Sequence, residues 1–237
     1  MPKEIPILYS TFMAQAKLAG RKTQTRRIVK GTALEWLQPG MFNPGFVGSP
    51  ENNLCPYGQP GDLLWGRECW APTVNLENKY WHKASADEMA GKMITWKPSI
   101  HMPKSAARIW DEVTGIRVER VADISEKDCI AEGIECANHS RSGGNIYKNY
   151  DGKSSYEYHP RDSFRSLWQL INGKPKPIQS KQGGKLITTG YEVYPFDEQA
   201  AAEFKGLTTW KGKPLTVITN PWVWVIESKQ LSVTGKP

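Results

Sequence analysis

Six cations, Lys17, Arg21, Lys22, Arg26, Arg27 and Lys30, fall within fourteen residues that contain no Asp or Glu. Such a run suits a polyanion, and phosphate contacts of this kind weaken as salt rises; the plainer role is a solvated basic turn. Inside it, Lys22 and Thr25 are three residues apart, so a helically curled turn would carry ammonium and hydroxyl on one side. Crowding by Arg21, Arg26 and Arg27 disfavours a charged lysine and lowers its pKa. A neutral lysine beside a threonine hydroxyl makes a base and nucleophile pair.

A second candidate is Trp96-Lys97-Pro98-Ser99-Ile100-His101-Met102-Pro103. Two prolines stiffen it, and Trp96, His101 and Met102 could wall a base-sized pocket by stacking; the same side chains could instead plug the end of a core. Glu68, next to Arg67, is a candidate carboxylate, but reads better as half of a structural ion pair with Arg67 or another arginine. Trp168, Trp222 and Trp224 follow helix or strand periodicity and read as core. Cys55, Cys69, Cys129 and Cys136 are separated by 13, 59 and 6 residues, without the close pairs that chelate zinc. With His82, His101, His139 and His159 scattered as well, neither metal nor cofactor is expected.

These residues need a scaffold. Ile5 to Ser10 reads as a strand, and Ser10 or Thr11 caps a short helix through Ala19, with Phe12, Ala16 and Ala19 as its stripe and Gly20 as its left-handed stop. Residues 31 to 60 read as a long loop rich in Pro, Gly and Asn. Pro60-Gly61-Asp62 turns into a strand over 63 to 70, and residues 71 to 95 form an excursion with a helix near 84 to 90. Residues 106 to 121 alternate as a long strand. Ser125 opens a capped helix that stops at Gly133. Residues 137 to 160 read as a mobile surface loop. Residues 162 to 172 form a helix, with Phe164, Leu167, Trp168 and Ile171 on one face. A Lys-, Gly- and Thr-rich insertion with a helix near 197 to 204 precedes a final strand, 221 to 231. The sum predicts an α+β fold, a mixed barrel of five or six strands with helices at its mouth.

The totals narrow the class. The net charge is +7, but the basic run holds six of the 31 cations, leaving 25 basic against 24 acidic residues elsewhere. A mean hydropathy of −0.55 argues against a membrane-spanning helix. The sequence MPKEIPILYS lacks a secretory leader's apolar stretch, so a cytoplasmic protein starting near Met1 is expected.

The strand, short helix and GRKTQT segment, followed by PGD, ERVADISEKDCIAEGI and the closing PWVWVIE, resemble the ASCH family of PUA-like folds. YGQPGDLLWGRECWA with WKPSIHMPKSAARI looks like its larger phage and prophage branch. The resemblance implies one domain over 1–237, elaborated at 31–56, 71–105 and 137–160 with an insertion at 174–219, and a cleft for RNA or a modified nucleoside. Members that are N4-acetylcytidine amidohydrolases use Lys, Thr and Glu, which the motif register places on Lys22, Thr25 and Glu132, with Glu68 the alternative to Glu132 as the carboxylate serving the lysine. Arg21, Arg26, Arg27, Trp96 and His101 would then bind substrate. The expected function is hydrolysis of an N4-acylated cytosine, with Thr25 attacking, Lys22 moving the proton and Glu132 orienting. The alternatives are a non-catalytic RNA or modified-base binding module and, less favoured, a ribonuclease.

Overall fold

The computed structural model describes residues 1–73, 80–138 and 144–237. It is a mixed α+β protein of two compact units. One comprises Met1–Val118, Ile130–Gly133 and Trp224–Pro237; the other comprises Glu119–Cys129 and Ile134–Val223. Along the chain, β1 (Glu4–Leu8) leads through α1 (Thr11–Leu18) to β2 (Gln24–Ile28). Next come α2 (Thr32–Trp36), α3 (Pro44–Gly48), β3 (Leu63–Arg67), β4 (Trp70–Pro72), β5 (Tyr80–His82), α4 (Glu88–Met93) and the long β6 (Trp110–Arg120). After α5 (Glu126–Ala131), the second unit holds β7 (Cys136–Asn138), β8 (Asn145–Lys148), β9 (Tyr156–Glu157) and α6 (Pro160–Asn172). It continues with β10 (Lys176–Gln182), β11 (Lys185–Val193), α7 (Glu198–Ala201), β12 (Thr209–Trp210) and β13 (Lys213–Val217); β14 (Trp222–Ser232) follows.

The first unit is built on a five-stranded sheet ordered β1-β3-β6-β14-β2. β1 runs parallel to β3, from Glu4 beside Leu63 to Leu8 beside Arg67. The turn before β3 fixes that register: Gly61 takes φ +92°, and the Asp62 carboxylate accepts from the Lys3 and Gln59 amides at 2.8 and 2.9 Å. The mixed α+β class expected from sequence is present, but among the described residues no barrel of five or six strands is closed and this sheet has a linear strand order. β1 and β2 are its edges; the Arg27 guanidinium donates to the Leu8 carbonyl, a side-chain link where a barrel would have a ladder. Trp65, Trp70, Met102, Ala106, Ala107 and Trp110 pack as one core cluster.

The strong periodic elements match their sequence signals. Ser10 caps α1 and Gly20 takes φ +70°; Ser125 Oγ accepts from the Asp128 amide and Gly133 takes φ +88°. In α6, Phe164, Leu167 and Trp168 are buried, as expected, and Trp168 Nε1 donates to the Tyr194 carbonyl at 2.8 Å. Trp224 is buried as expected, whereas Trp222 is half-buried beneath the Arg120 guanidinium.

Short elements differ from expectation. The 31 to 60 loop contains α2 and α3, and the basic run ends in strand β2. The expected loop over 137 to 160 contributes to a three-stranded sheet, β7-β8-β9; His139 and the rest of 139–143 lie outside the described residues, as do 74–79 of the excursion. Strands of two to four residues hold too few repeats for alternation to register. In α1 the buried side chains are Met13, Ala14, Ala16 and Lys17, while Phe12 is exposed, so the buried stripe is rotated from the expected one.

In the second unit the principal sheet is ordered β10-β11-β13-β12, with β10 antiparallel to β11 and β11 parallel to β13. No helix among the described residues is long and apolar enough to cross a membrane.

Candidate functional site

Backbone geometry puts Lys22 in place. As α1 ends, the left-handed Gly20 turns the chain so that the Arg21 and Lys22 amides both reach the Ala16 carbonyl, at 3.0 and 3.3 Å. The next residue is held from both sides. The Thr23 amide donates to Ala131 at the end of α5, and the Thr23 carbonyl accepts from Ser228 on β14, each at 2.8 Å. Gly133 makes the approach possible: a Cβ there would lie 2.7 Å from the Ala16 Cβ and 2.9 Å from the Lys22 Cβ.

This pinch brings Lys22 onto Glu132, 110 residues away in sequence. Lys22 Nζ donates to Glu132 Oε2 and to the Glu132 carbonyl, the latter at 3.0 Å. Arg26 Nη1 lies 3.3 Å from Glu132 Oε1 and 3.3 Å from Gln24 Oε1. Each carboxylate oxygen thus faces a cation. Gln24 Nε2 continues to Glu227 at 3.4 Å, and Glu227, also paired with Arg117, carries the network to the surface.

Burial sets the protonation behaviour. It pushes the Lys22 ammonium down to about 8, with Glu132 opposing the shift and Arg27 and Lys17 adding to it. Burial alone would raise the Glu132 carboxyl, but the Lys22 and Arg26 charges outweigh it and hold the group below its ordinary value. The downward direction for Lys22 matches the sequence expectation; its main cause is burial, not crowding by Arg21 and Arg26. Glu132 sits one residue beyond α5 and is buried, not solvated as glutamates at helix ends commonly are.

Thr25 enters differently. Residues 24–28 are extended, so the helical curl that would pair it with Lys22 is absent. Among the described residues its buried Oγ1 has no partner of good hydrogen-bond geometry, yet it lies close enough to the Tyr9 phenol to favour the ionised phenol. Tyr9 belongs to a second buried network. Its hydroxyl is 3.2 Å from Asp111 Oδ2, which pairs with Lys17 Nζ at 2.8 Å, and Lys17 donates to Ser228 Oγ at 2.9 Å. Burial raises the Tyr9 phenol well above its ordinary value and lowers the Lys17 ammonium despite Asp111. Asp111 Oδ1, like Thr25 Oγ1, is a buried acceptor without a hydrogen-bond partner among the described residues.

The basic run is therefore not the exposed phosphate-binding patch anticipated. Lys17, Lys22 and Arg26 turn inward onto Asp111 and Glu132, Arg27 is half-buried on the Leu8 and Arg26 carbonyls, and only Arg21 and Lys30 are exposed. Among the described residues neither Trp96 nor His101 has a hydrogen bond to Lys22, Thr25 or Glu132. Trp96 Nε1 donates to the Gly91 carbonyl at 3.1 Å, while His101 is exposed in a short 3-10 turn. Met102 is core, and its sulfur accepts from the Glu68 amide at 3.2 Å. Glu68 is a structural ion pair, with Arg108 as its bidentate partner at 2.9 and 3.0 Å.

Sequence reasoning missed Tyr9, Asp111, Gln24 and Ser228. The burial of Asp111, an acid in an alternating strand, was the one available signal, because a buried acid needs a cation. Among the described residues no group of His, Cys, Asp or Glu is placed to hold a metal ion. No family model, curated protein or solved structure matches the chain.

Proposed function

We propose that the protein is a hydrolase of an N4-acylated cytosine, as free nucleoside or RNA base, built on an ASCH-like, PUA-type core. The supporting observation is the buried Lys22–Glu132 pair: it joins two residues singled out by the resemblance and leaves the lysine with a pKa of about 8. Two contacts to Glu132 occupy two of the three ammonium protons, leaving one for chemistry. In its neutral form Lys22 takes the Thr25 hydroxyl proton as Oγ1 attacks the acyl carbon, then delivers it to the departing N4 amine. Water cleaves the resulting threonyl ester, releasing the carboxylic acid. Arg26, held by Glu132, supplies positive charge for the oxyanion.

The test is turnover of N4-acetylcytidine to cytidine and acetate, followed by absorbance. The rate should climb as pH rises toward about 8, where Lys22 loses its proton, and should vanish in Lys22→Ala. Wild-type turnover equal to that of Lys22→Ala would end the proposal for this substrate. A second function, a non-catalytic RNA or modified-base binding module, draws support from closure: Lys22, Thr25 and Glu132 are each no more than 2% exposed. It predicts binding of N4-acetylcytidine without turnover. A ribonuclease, the third possibility, would cleave unmodified RNA in a Lys22-dependent way.

A further inference from the structure

With the 17–30 run largely buried, the exposed positive charge lies elsewhere. Between Asp162 and Glu192 the chain carries Arg165, Lys174, Lys176, Lys181 and Lys185 and no acid; between Glu203 and Glu227 it carries Lys205, Lys211 and Lys213 and no acid. Most of these lysines sit on or beside the β10-β11-β13-β12 sheet of the second unit. Lys181, Lys185 and Lys211 are exposed, and none of them, nor Lys213, has an ion-pair partner among the described residues.

Topology gathers four of them. The β10–β11 turn is Gly183-Gly184 and the β12–β13 turn is Lys211-Gly212, with positive φ at all four positions. Each turn precedes the second strand of its hairpin, and β11 and β13 are parallel, so both tips lie at the same end of the sheet. Tyr191 pairs with Leu215; β11 begins six residues before that pair and β13 two. A bulge on β11 takes up one of the four extra residues, and the other three carry the longer ribbon about 10 Å beyond the shorter tip.

We infer that this end of the sheet is a docking surface for double-stranded DNA, with the β10–β11 ribbon entering the major groove. The B-form groove admits a two-stranded ribbon and is about 8.5 Å deep, less than the ribbon's extra reach, whereas the A-form RNA major groove is too narrow to be read. At the tip Lys181 pairs with Leu186 and Gln182 with Lys185. Adjacent pairs project to opposite faces, so Lys181 and Lys185 address opposite groove walls. Gln182, beside the turn, supplies an amide for base edges. Edge protection accounts for lysines on β10, which is an edge strand. Lys185 and Lys213 also flank open edges, because β11 and β13 pair with each other only from Tyr191 and Leu215 onward; what edge protection does not require is the gathering of four lysines at one end of the sheet.

The test is fluorescence anisotropy of the full chain with a labelled DNA duplex of about two helical turns, titrated over a range of salt. Four lysine–phosphate contacts give a slope of log K against log salt of about −3.6, and about a hundredfold loss between about 50 and 200 mM. The double variant Lys181→Ala/Lys185→Ala should reduce the slope by about 1.8 and weaken binding by about 60-fold at about 0.1 M salt, with an unchanged circular dichroism spectrum. The variant Lys211→Ala/Lys213→Ala should also weaken binding. Lys92→Ala, which removes an exposed lysine of α4 in the first unit, should bind as wild type whether or not the hydrolase proposal holds. Duplex binding that is absent, or unaltered in both double variants, would leave edge protection as the lysines' role and overturn the inference. Tighter lysine-dependent binding of single-stranded or duplex RNA would overturn the groove assignment.

Discussion

Glu132→Gln preserves the shape of the buried cluster while removing its negative charge. Lys22 Nζ and Arg26 Nη1 would then share a neutral amide in a region from which water is excluded. Removing one partner of a buried pair costs about 3–5 kcal/mol, because the other charge is stranded. The lysine has one escape, to shed its proton. The folded wild type already carries the shift from 10.5 to about 8, so at pH 7 neutral Lys22 lies only about 1 kcal/mol above the charged form and at pH 9 it is the main form; this escape limits what the lysine adds to the loss, and the remainder falls on Arg26. The wild type changes with pH too. Its folded Lys22 value of about 8 lies below 10.5, so between these pH values the unfolded chain binds more protons and stability rises with pH. Urea denaturation followed by tryptophan fluorescence should therefore show Glu132→Gln destabilised by about 3–5 kcal/mol at pH 7 and by about 1 kcal/mol less at pH 9. Lys22→Met/Glu132→Gln, which strands no lysine, should be more stable than Glu132→Gln at pH 7. A loss of the same size at both pH values, or of under about 1 kcal/mol at pH 7, would refute the buried ion pair.

Thr25→Val removes a hydroxyl whose one polar neighbour noted among the described residues is the Tyr9 phenol, so stability should change by less than about 1 kcal/mol while N4-acetylcytidine turnover disappears; retained turnover would show that Thr25 is not the nucleophile. Gly133→Ala places a methyl against Ala16 and Lys22 at a left-handed position, and should lower stability by about 1–3 kcal/mol in urea, shifting any pH–rate midpoint along with Lys22. Asp111→Asn strands the Lys17 ammonium and should cost about 3–5 kcal/mol at neutral pH, read by the same denaturation.

The sequence by itself determined the elements whose signals are local. Ser10 and Gly20 bracket α1, Ser125 and Gly133 bracket α5, the apolar face of α6 is spaced for burial, and the mixed α+β class follows from their alternation with long strands. Caps and helical stripes need only neighbouring residues, so they can be read without a fold. Strand β2 was hidden because a run of cations gives no apolar alternation, and β7 to β9 because they are so short. Only the tertiary structure decided which cations are buried. Whether Lys17 faces solvent or Asp111, and Lys22 solvent or Glu132, depends on where α1, β6 and the end of α5 meet, and each pair spans roughly a hundred residues. The charge count located the basic run but counted buried and exposed lysines alike. A carboxylate far along the chain neutralises Lys22, and burial is the main cause of its lowered pKa, with Arg27 and Lys17 adding to it. Likewise, two lysine-bearing hairpins tens of residues apart share one end of a sheet because β11 and β13 are parallel, a pairing that no local pattern specifies.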